Sequence, residues 1–157
     1  MATAQPRIDF EKHAAGFYRA MAHLDQAATK ELDTAGIDVR LRELVRIRAS
    51  QLNGCAFCID MHTKDARAAG ETEQRIYALA AWRETPFFDD RERAALGLAE
   101  SVTLMPQTHV PDGDFAAAAE HFSETELGAL ISLIVTINAW NGIGVTTHAW
   151  LPGSYQP

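Results

Sequence analysis

Cysteine is nearly absent from this chain: its 157 residues include two, Cys55 and Cys58. They stand too close together to staple a fold, because a disulfide acts mainly by closing a long loop of the unfolded chain. In a reducing compartment such a pair points to redox chemistry or metal binding. Basic residues are also scarce, 14 Lys and Arg against 21 Asp and Glu, and the resulting charge of -7 opposes polyanions, so nucleic acid is excluded as a partner. The opening residues lack the basic start and the apolar run of a secretory signal, which places the expected location in the cytoplasm. Alternating apolar and polar positions of the kind that build strands are missing as well, as are internal repeats and low-complexity segments. Charge is missing locally: from Leu127 to Thr147 there is no Asp, Glu, Lys or Arg. That length could cross a membrane. Ser132, Thr136, Asn138, Asn141 and two glycines, without flanking basic residues, favour a helix buried in a core or subunit interface, and no membrane association is expected.

What remains is helical. A hydrophobic content of 47% over this length supplies one core, so residues 1–157 are expected to form a single all-α domain of about six to seven helices. Phe10, Ala14, Phe17, Tyr18, Met21 and Leu24 recur at helical spacing and predict an opening helix to about Thr34. Asp38 caps a second helix that Asn53-Gly54 stops. A third begins in the cysteine motif and ends near Ala69, before Gly70. A fourth covers roughly Thr72 to Trp82, and Asp89 with Glu92 caps a fifth. Between Leu104 and Asp112 a loop is expected, then a short helix through Ala119, then a long final helix opened by Ser123-Glu-Thr-Glu126. Residues 152–157 read as a loose tail.

The chemical signal is Cys55-Ala-Phe-Cys58 followed by His62. Cys58 and His62 are one helical turn apart and share a face with Cys55, and both sulfurs stand near a helix N-terminus, where thiolate is favoured. If the flanking helices pair as an antiparallel hairpin about Asn53-Gly54, the order along their interface is Cys58, His62, Glu43. A carboxylate can then orient an imidazole that deprotonates a thiol. Position alone favours Cys55 as nucleophile, being first in its helix and expected to be the more exposed; the His62 spacing favours Cys58.

Glu43, eleven intervening residues, Cys55-x-x-Cys58, three residues and His62 together resemble the signature of the AhpD-like alkylhydroperoxidases within the carboxymuconolactone decarboxylase family. The resemblance continues through Asp89-Asp-Arg-Glu-Arg-Ala-Ala-Leu and Ile137-Asn-Ala-Trp-Asn141. It implies an AhpD-like helical bundle assembled as a homotrimer or homohexamer, and a thiol peroxidase that uses no metal, haem or other cofactor. It further implies that Cys58 attacks the hydroperoxide, Cys55 resolves the sulfenic acid as a disulfide, Glu43 and His62 relay the proton, and a lipoyl-bearing or thioredoxin-like dithiol donor reduces the pair. The sequence departs from the family's peroxidases at Phe57, where they carry His.

Other readings are simpler. Cys55, Cys58, His62 and Glu43 could ligate zinc, although structural zinc sites rarely use Glu, and a general thiol-disulfide oxidoreductase or a non-catalytic structural protein would carry the same pair. Arg40, Arg42, Arg46 and Arg48 are expected to be solvated or ion-paired, Trp82, Trp140 and Trp150 to pack in the core or an interface, and His148 has no assigned role. Asn138 and Asn141 share a face and are expected to be structural, bridging subunits.

Overall fold

Helix α3, Val39–Asn53, is the axis of the fold. A computed structural model of the chain describes residues 5–157, and in it α3 packs against α4 (Ala56–Ala68), α6 (Asp90–Thr103) and α9 (Glu124–Thr147). Burial on several sides explains why Leu41, Leu44, Val45, Ile47 and Ala49 do not form a single stripe. One side joins Leu32 of α2 (Ala15–Thr34), Leu98 of α6 and Leu130, Leu133 and Ile134 of α9 in the main core. The other packs Leu44 and Ile47 against Ala66, Ile76, Leu79, Trp82, Phe88 and Leu96. Burial of so many Leu and Ile side chains, each worth about 1.5–3 kcal/mol, fixes the frame in which α3 and α4 hold the cysteine motif.

The helix boundaries follow local chemistry. Asp38 Oδ1 accepts from Arg40 N at 2.9 Å, and Gly54 ends α3 in the left-handed conformation at φ 70°. Asp89 with Glu92 and Ser123 with Glu126 form reciprocal capping boxes. The chain is all-α as expected, and no strand occurs among the described residues. The described residues form nine α-helices and one 3-10 turn rather than six or seven helices. The opening helix breaks at Ala14 into α1 (Phe10–His13) and α2. The expected fourth helix tightens after α5 (Glu73–Ala78) into a 3-10 stretch, Leu79–Glu84. The expected loop holds a one-turn helix, α7 (Met105–Thr108), with Pro106 at its start, where the missing N–H costs nothing. After it comes α8, Asp112–Ala119.

Helix α9, at 24 residues, is apolar and long enough to cross a membrane. Its Leu127, Leu130, Leu133, Ile134 and Ile137 are instead buried against the bundle. Its C-terminal half carries the structural asparagines expected there, and the tail beyond it departs from expectation. Asn53 Nδ2 donates to the Oδ1 atoms of Asn138 and Asn141, at 2.7 and 3.0 Å, and Asn141 Nδ2 donates to Ser50 Oγ at 3.0 Å. These bonds tie α9 to α3 within one chain. Residues 152–157 are not loose. Gly153 N donates to Asp60 Oδ2 at 2.9 Å, Lys64 Nζ to Tyr155 O at 2.9 Å, and Tyr155 Oη to Asp65 Oδ1 at 2.7 Å. The polar side of α4 offers the tail the partners that turn it into a strap.

Candidate active site

Cys55 is the N-cap of α4 and Cys58 lies in its first turn. Their Sγ atoms are joined as a disulfide with the Cα atoms 5.3 Å apart, and Cys58 N points at Cys55 Sγ, 3.4 Å away. The tight reversal at Gly54 brings the motif back along α3, where Cys55 N donates to Ser50 O at 3.0 Å. Exposure does not separate the two sulfurs: Cys55 is 2% and Cys58 3% accessible, so Cys55 is not the more exposed.

The hairpin of α3 and α4 makes the contact the spacing predicts. His62 Nδ1 and Glu43 Oε2 are 2.8 Å apart and both residues are buried. Arg46, one turn along α3, donates to the other carboxylate oxygen of Glu43. Burial pushes the Glu43 carboxyl up, but the hydrogen bond to His62 and the charge of Arg46 outweigh it and hold the group below the ordinary carboxylate value. An ionised Glu43 accepts a hydrogen bond from Nδ1–H, which leaves Nε2 as the basic nitrogen of the ring. Asp65, one turn after His62, lies close enough for its carboxylate, Glu43 and His62 to fall within 4.8 Å of one another. These three, and not the cysteines, are the described groups spaced to hold a cation. The disulfide leaves neither sulfur free to ligate.

Cys58 and His62 open onto a cavity of about 670 Å³. Its wall is aromatic: Trp140 stands edge-on to Tyr18 and to Trp150, both with centroids 5.8 Å apart, and Phe57 lies 5.7 Å from Trp150. Trp150 is held from the other end of the chain by Glu11 Oε1, which accepts from its Nε1 at 3.0 Å. Apolar walls around a few polar groups make a site for a small organic molecule. A smaller cavity of about 180 Å³, lined by Cys55 and not Cys58, shares Phe57 and Trp150 with the first.

All four residues singled out by sequence, Glu43, Cys55, Cys58 and His62, therefore meet at the α3–α4 hairpin. Sequence reasoning missed Arg46, Asp65 and the aromatic wall. Arg46 and Asp65 carried a readable signal, since each is three residues from a predicted site residue on the same helix. The other arginines are paired as expected, Arg42 with Asp33 and Arg48 with Glu100. Trp82 is core, but Trp140 and Trp150 line the cavity, because α9 carries one past the site and the strap folds the other back over it.

The profile described as the Carboxymuconolactone decarboxylase family matches residues 15–101. The uncharacterised protein YdfG of Bacillus subtilis (strain 168) is 51% identical over 111 residues, 71% of this chain and 76% of its own. Among solved structures, a protein of unknown function from Agrobacterium tumefaciens, provisionally named an antioxidant defence protein AhpD, superposes with TM-score 0.87 at 36% identity, over 94% of this chain and 99% of its own. An alkylhydroperoxidase AhpD core from Ralstonia eutropha JMP134, an uncharacterised peroxidase-related protein, shares the fold with TM-score 0.78 at 22% identity, over 98% of this chain and 80% of its own. The matched profile contains Glu43, Arg46, Cys55, Cys58, His62 and Asp65, and stops short of Trp140, Trp150 and Tyr155.

Proposed function

The chain belongs to the carboxymuconolactone decarboxylase family, with an AhpD-like fold, and from that premise we propose that it is a thiol-dependent peroxidase acting on organic hydroperoxides through Cys58. One observation carries the reading: a cysteine already within bonding distance of a second cysteine shares an apolar-walled cavity with a histidine that a buried carboxylate orients.

In the reduced protein, His62 Nε2 takes the Cys58 thiol proton while Glu43 holds Nδ1. The thiolate attacks the terminal oxygen of the hydroperoxide, the O–O bond breaks, and the alkoxide leaves as the alcohol after receiving the proton from His62. Cys58 is then a sulfenic acid. Cys55 attacks its sulfur, water leaves, and the disulfide forms. A dithiol restores both thiols by exchange, and the donors proposed are a lipoyl-bearing or thioredoxin-like protein. The proposed setting is the cytoplasm, and the proposed assembly a homotrimer or homohexamer.

Phe57 favours a second reading. It lies against Trp150 and offers no proton donor or acceptor beside Cys58, which suits disulfide exchange without peroxide turnover. One experiment separates the two: reduced protein, with Cys58→Ser and Cys55→Ser variants, receives one equivalent of cumene hydroperoxide while free thiols and intact mass are followed. The peroxidase reading requires loss of both thiols within seconds, a mass lower by about two hydrogens, and a sulfenic acid trapped only in Cys55→Ser. Thiols that persist for hours remove it and leave exchange.

A further inference from the structure

Two cavities reach the disulfide, and they divide the two cysteines. Cys58 lines the larger and Cys55 does not; Cys55 lines the smaller and Cys58 does not. Phe57 and Trp150 belong to both, as the partition between them. Thiol-disulfide exchange is an in-line displacement, in which the attacking sulfur approaches opposite the one that leaves. A nucleophile in the small cavity therefore meets Cys55 and expels Cys58 toward His62.

We propose that the small cavity is the entry for the reductant, a dithiol carried on a narrow arm, and that the two half-reactions reach the cysteine pair from different cavities. This rests on the thiol-redox reading of the site. The cavity's size fits: about 180 Å³ is the space of roughly six waters, enough for a dithiol tip and too little for a folded domain. Its electrostatics fit as well. The large cavity is lined by Glu11, Asp25 and Asp65 together with Arg42, Arg46 and His62, whereas no Asp, Glu, Lys or Arg lines the small one, whose titratable side chain besides Cys55 is His148. A thiolate meets no carboxylate there. Gly144 makes the space, since a Cβ at that position would stand 3.1 Å from Cys55 Sγ.

The chemistry balances. A donor thiolate bonds to Cys55 Sγ, the S–S bond breaks, and its electron pair goes to Cys58, which is protonated through His62. The donor's second thiolate then attacks its own sulfur in the mixed disulfide, and Cys55 leaves as thiolate and takes a proton from water. The donor ends as a disulfide, and the protein has gained two electrons and two protons.

The test measures the half-reactions separately. Val145→Trp and Leu151→Trp put bulk at exposed positions of the small cavity, and Val39→Trp does the same at the large one. Each protein is oxidised with diamide, so that the disulfide does not depend on peroxide activity, and reduced with dihydrolipoamide under stopped flow. Reduction slows more than tenfold in the first two variants and changes less than twofold in Val39→Trp. Oxidation by cumene hydroperoxide shows the reverse order. In unsubstituted oxidised protein, 2-mercaptoethanol followed by rapid alkylation leaves the mixed disulfide on Cys55 and the alkyl group on Cys58, read by fragment mass. The reverse assignment, or reduction slowed chiefly by Val39→Trp, overturns the proposal. A failure of cumene hydroperoxide to oxidise any variant removes the peroxidase reading and leaves the reductive measurement intact.

Discussion

Tyr155 Oη donates a 2.7 Å hydrogen bond to Asp65 Oδ1, across ninety residues of sequence, and so ties the end of the chain to the helix that carries Cys58 and His62. The phenol is pushed up to about 12, first by the bond it gives Asp65 and then by burial. Its folded value lies above the ordinary 10.0, so the strap's contribution is complete below pH 10 and is lost as pH rises toward 12. Tyr155→Phe removes one exchangeable contact and leaves the backbone anchors at Gly153 and Tyr155 O. The expected cost is about 1 kcal/mol, with faster amide exchange confined to residues 150–157. Unchanged exchange there means that the side chain does not hold the strap.

Glu43 carries the next prediction. Its carboxyl is held below its ordinary 4.5, so it stabilises the fold above that pH and the contribution fades as pH falls through its lower folded value. Glu43→Gln should flatten the acid limb of a stability-against-pH curve measured by urea unfolding. The same change replaces the carboxylate facing His62 Nδ1 by a neutral amide that does not stabilise the imidazolium, and the rate of Cys58 reaction with hydroperoxide should fall by about 10²-fold or more. Glu43→Asp, which keeps charge but withdraws it by one methylene, should recover part of the acid limb. A Glu43→Gln protein that reacts at full rate would remove the residue from the proton relay.

Asn141 tests the α3–α9 tie. Its side chain is 1% exposed and serves both Asn53 and Ser50. Asn141→Leu leaves the Ser50 hydroxyl buried without its partner, and the expected loss is roughly 2–4 kcal/mol in urea unfolding. Because the bonds are internal to one chain, the mass in a sizing experiment should not change. A lower mass with unaltered stability would place Asn141 at a subunit interface instead.

The residues that sequence made legible are those governed by local periodicity. Glu43 and His62 could be paired in advance because Asn53-Gly54 forces a tight reversal and helical spacing does the rest. Asp89 with Glu92 and Ser123 with Glu126 were readable for the same reason: a capping box is complete within four residues. Trp150 and Tyr155 were not readable. They come after the last helix in a stretch of Pro, Gly and Ser without period, and their positions are set by Glu11, Asp60, Lys64 and Asp65, which are distant in sequence. The inward turn of Asn141 was hidden by the same distance, since its partners lie 88 and 91 residues away.

Gly144 couples packing to redox state. A methyl group at this position would sit 3.1 Å from Cys55 Sγ and 3.6 Å from the Trp150 ring, so the neighbours must yield. In the dithiol form Cys55 can rotate away; in the disulfide it is tethered to Cys58 and cannot. Gly144→Ala therefore burdens the oxidised state more than the reduced one, by about 1–3 kcal/mol if the cost is that of ordinary overpacking. At about 1.4 kcal/mol per 30 mV for a two-electron couple, the reduction potential should rise by about 20–60 mV in a redox-buffer titration. Thermal stability separates the two states: the reduced variant should match or exceed the wild type, since Ala is the better helix former by up to about 1 kcal/mol, while the oxidised variant melts lower. Equal shifts in both forms would show that Trp150, rather than the tethered sulfur, absorbs the added methyl group, and the potential would then stay where it was.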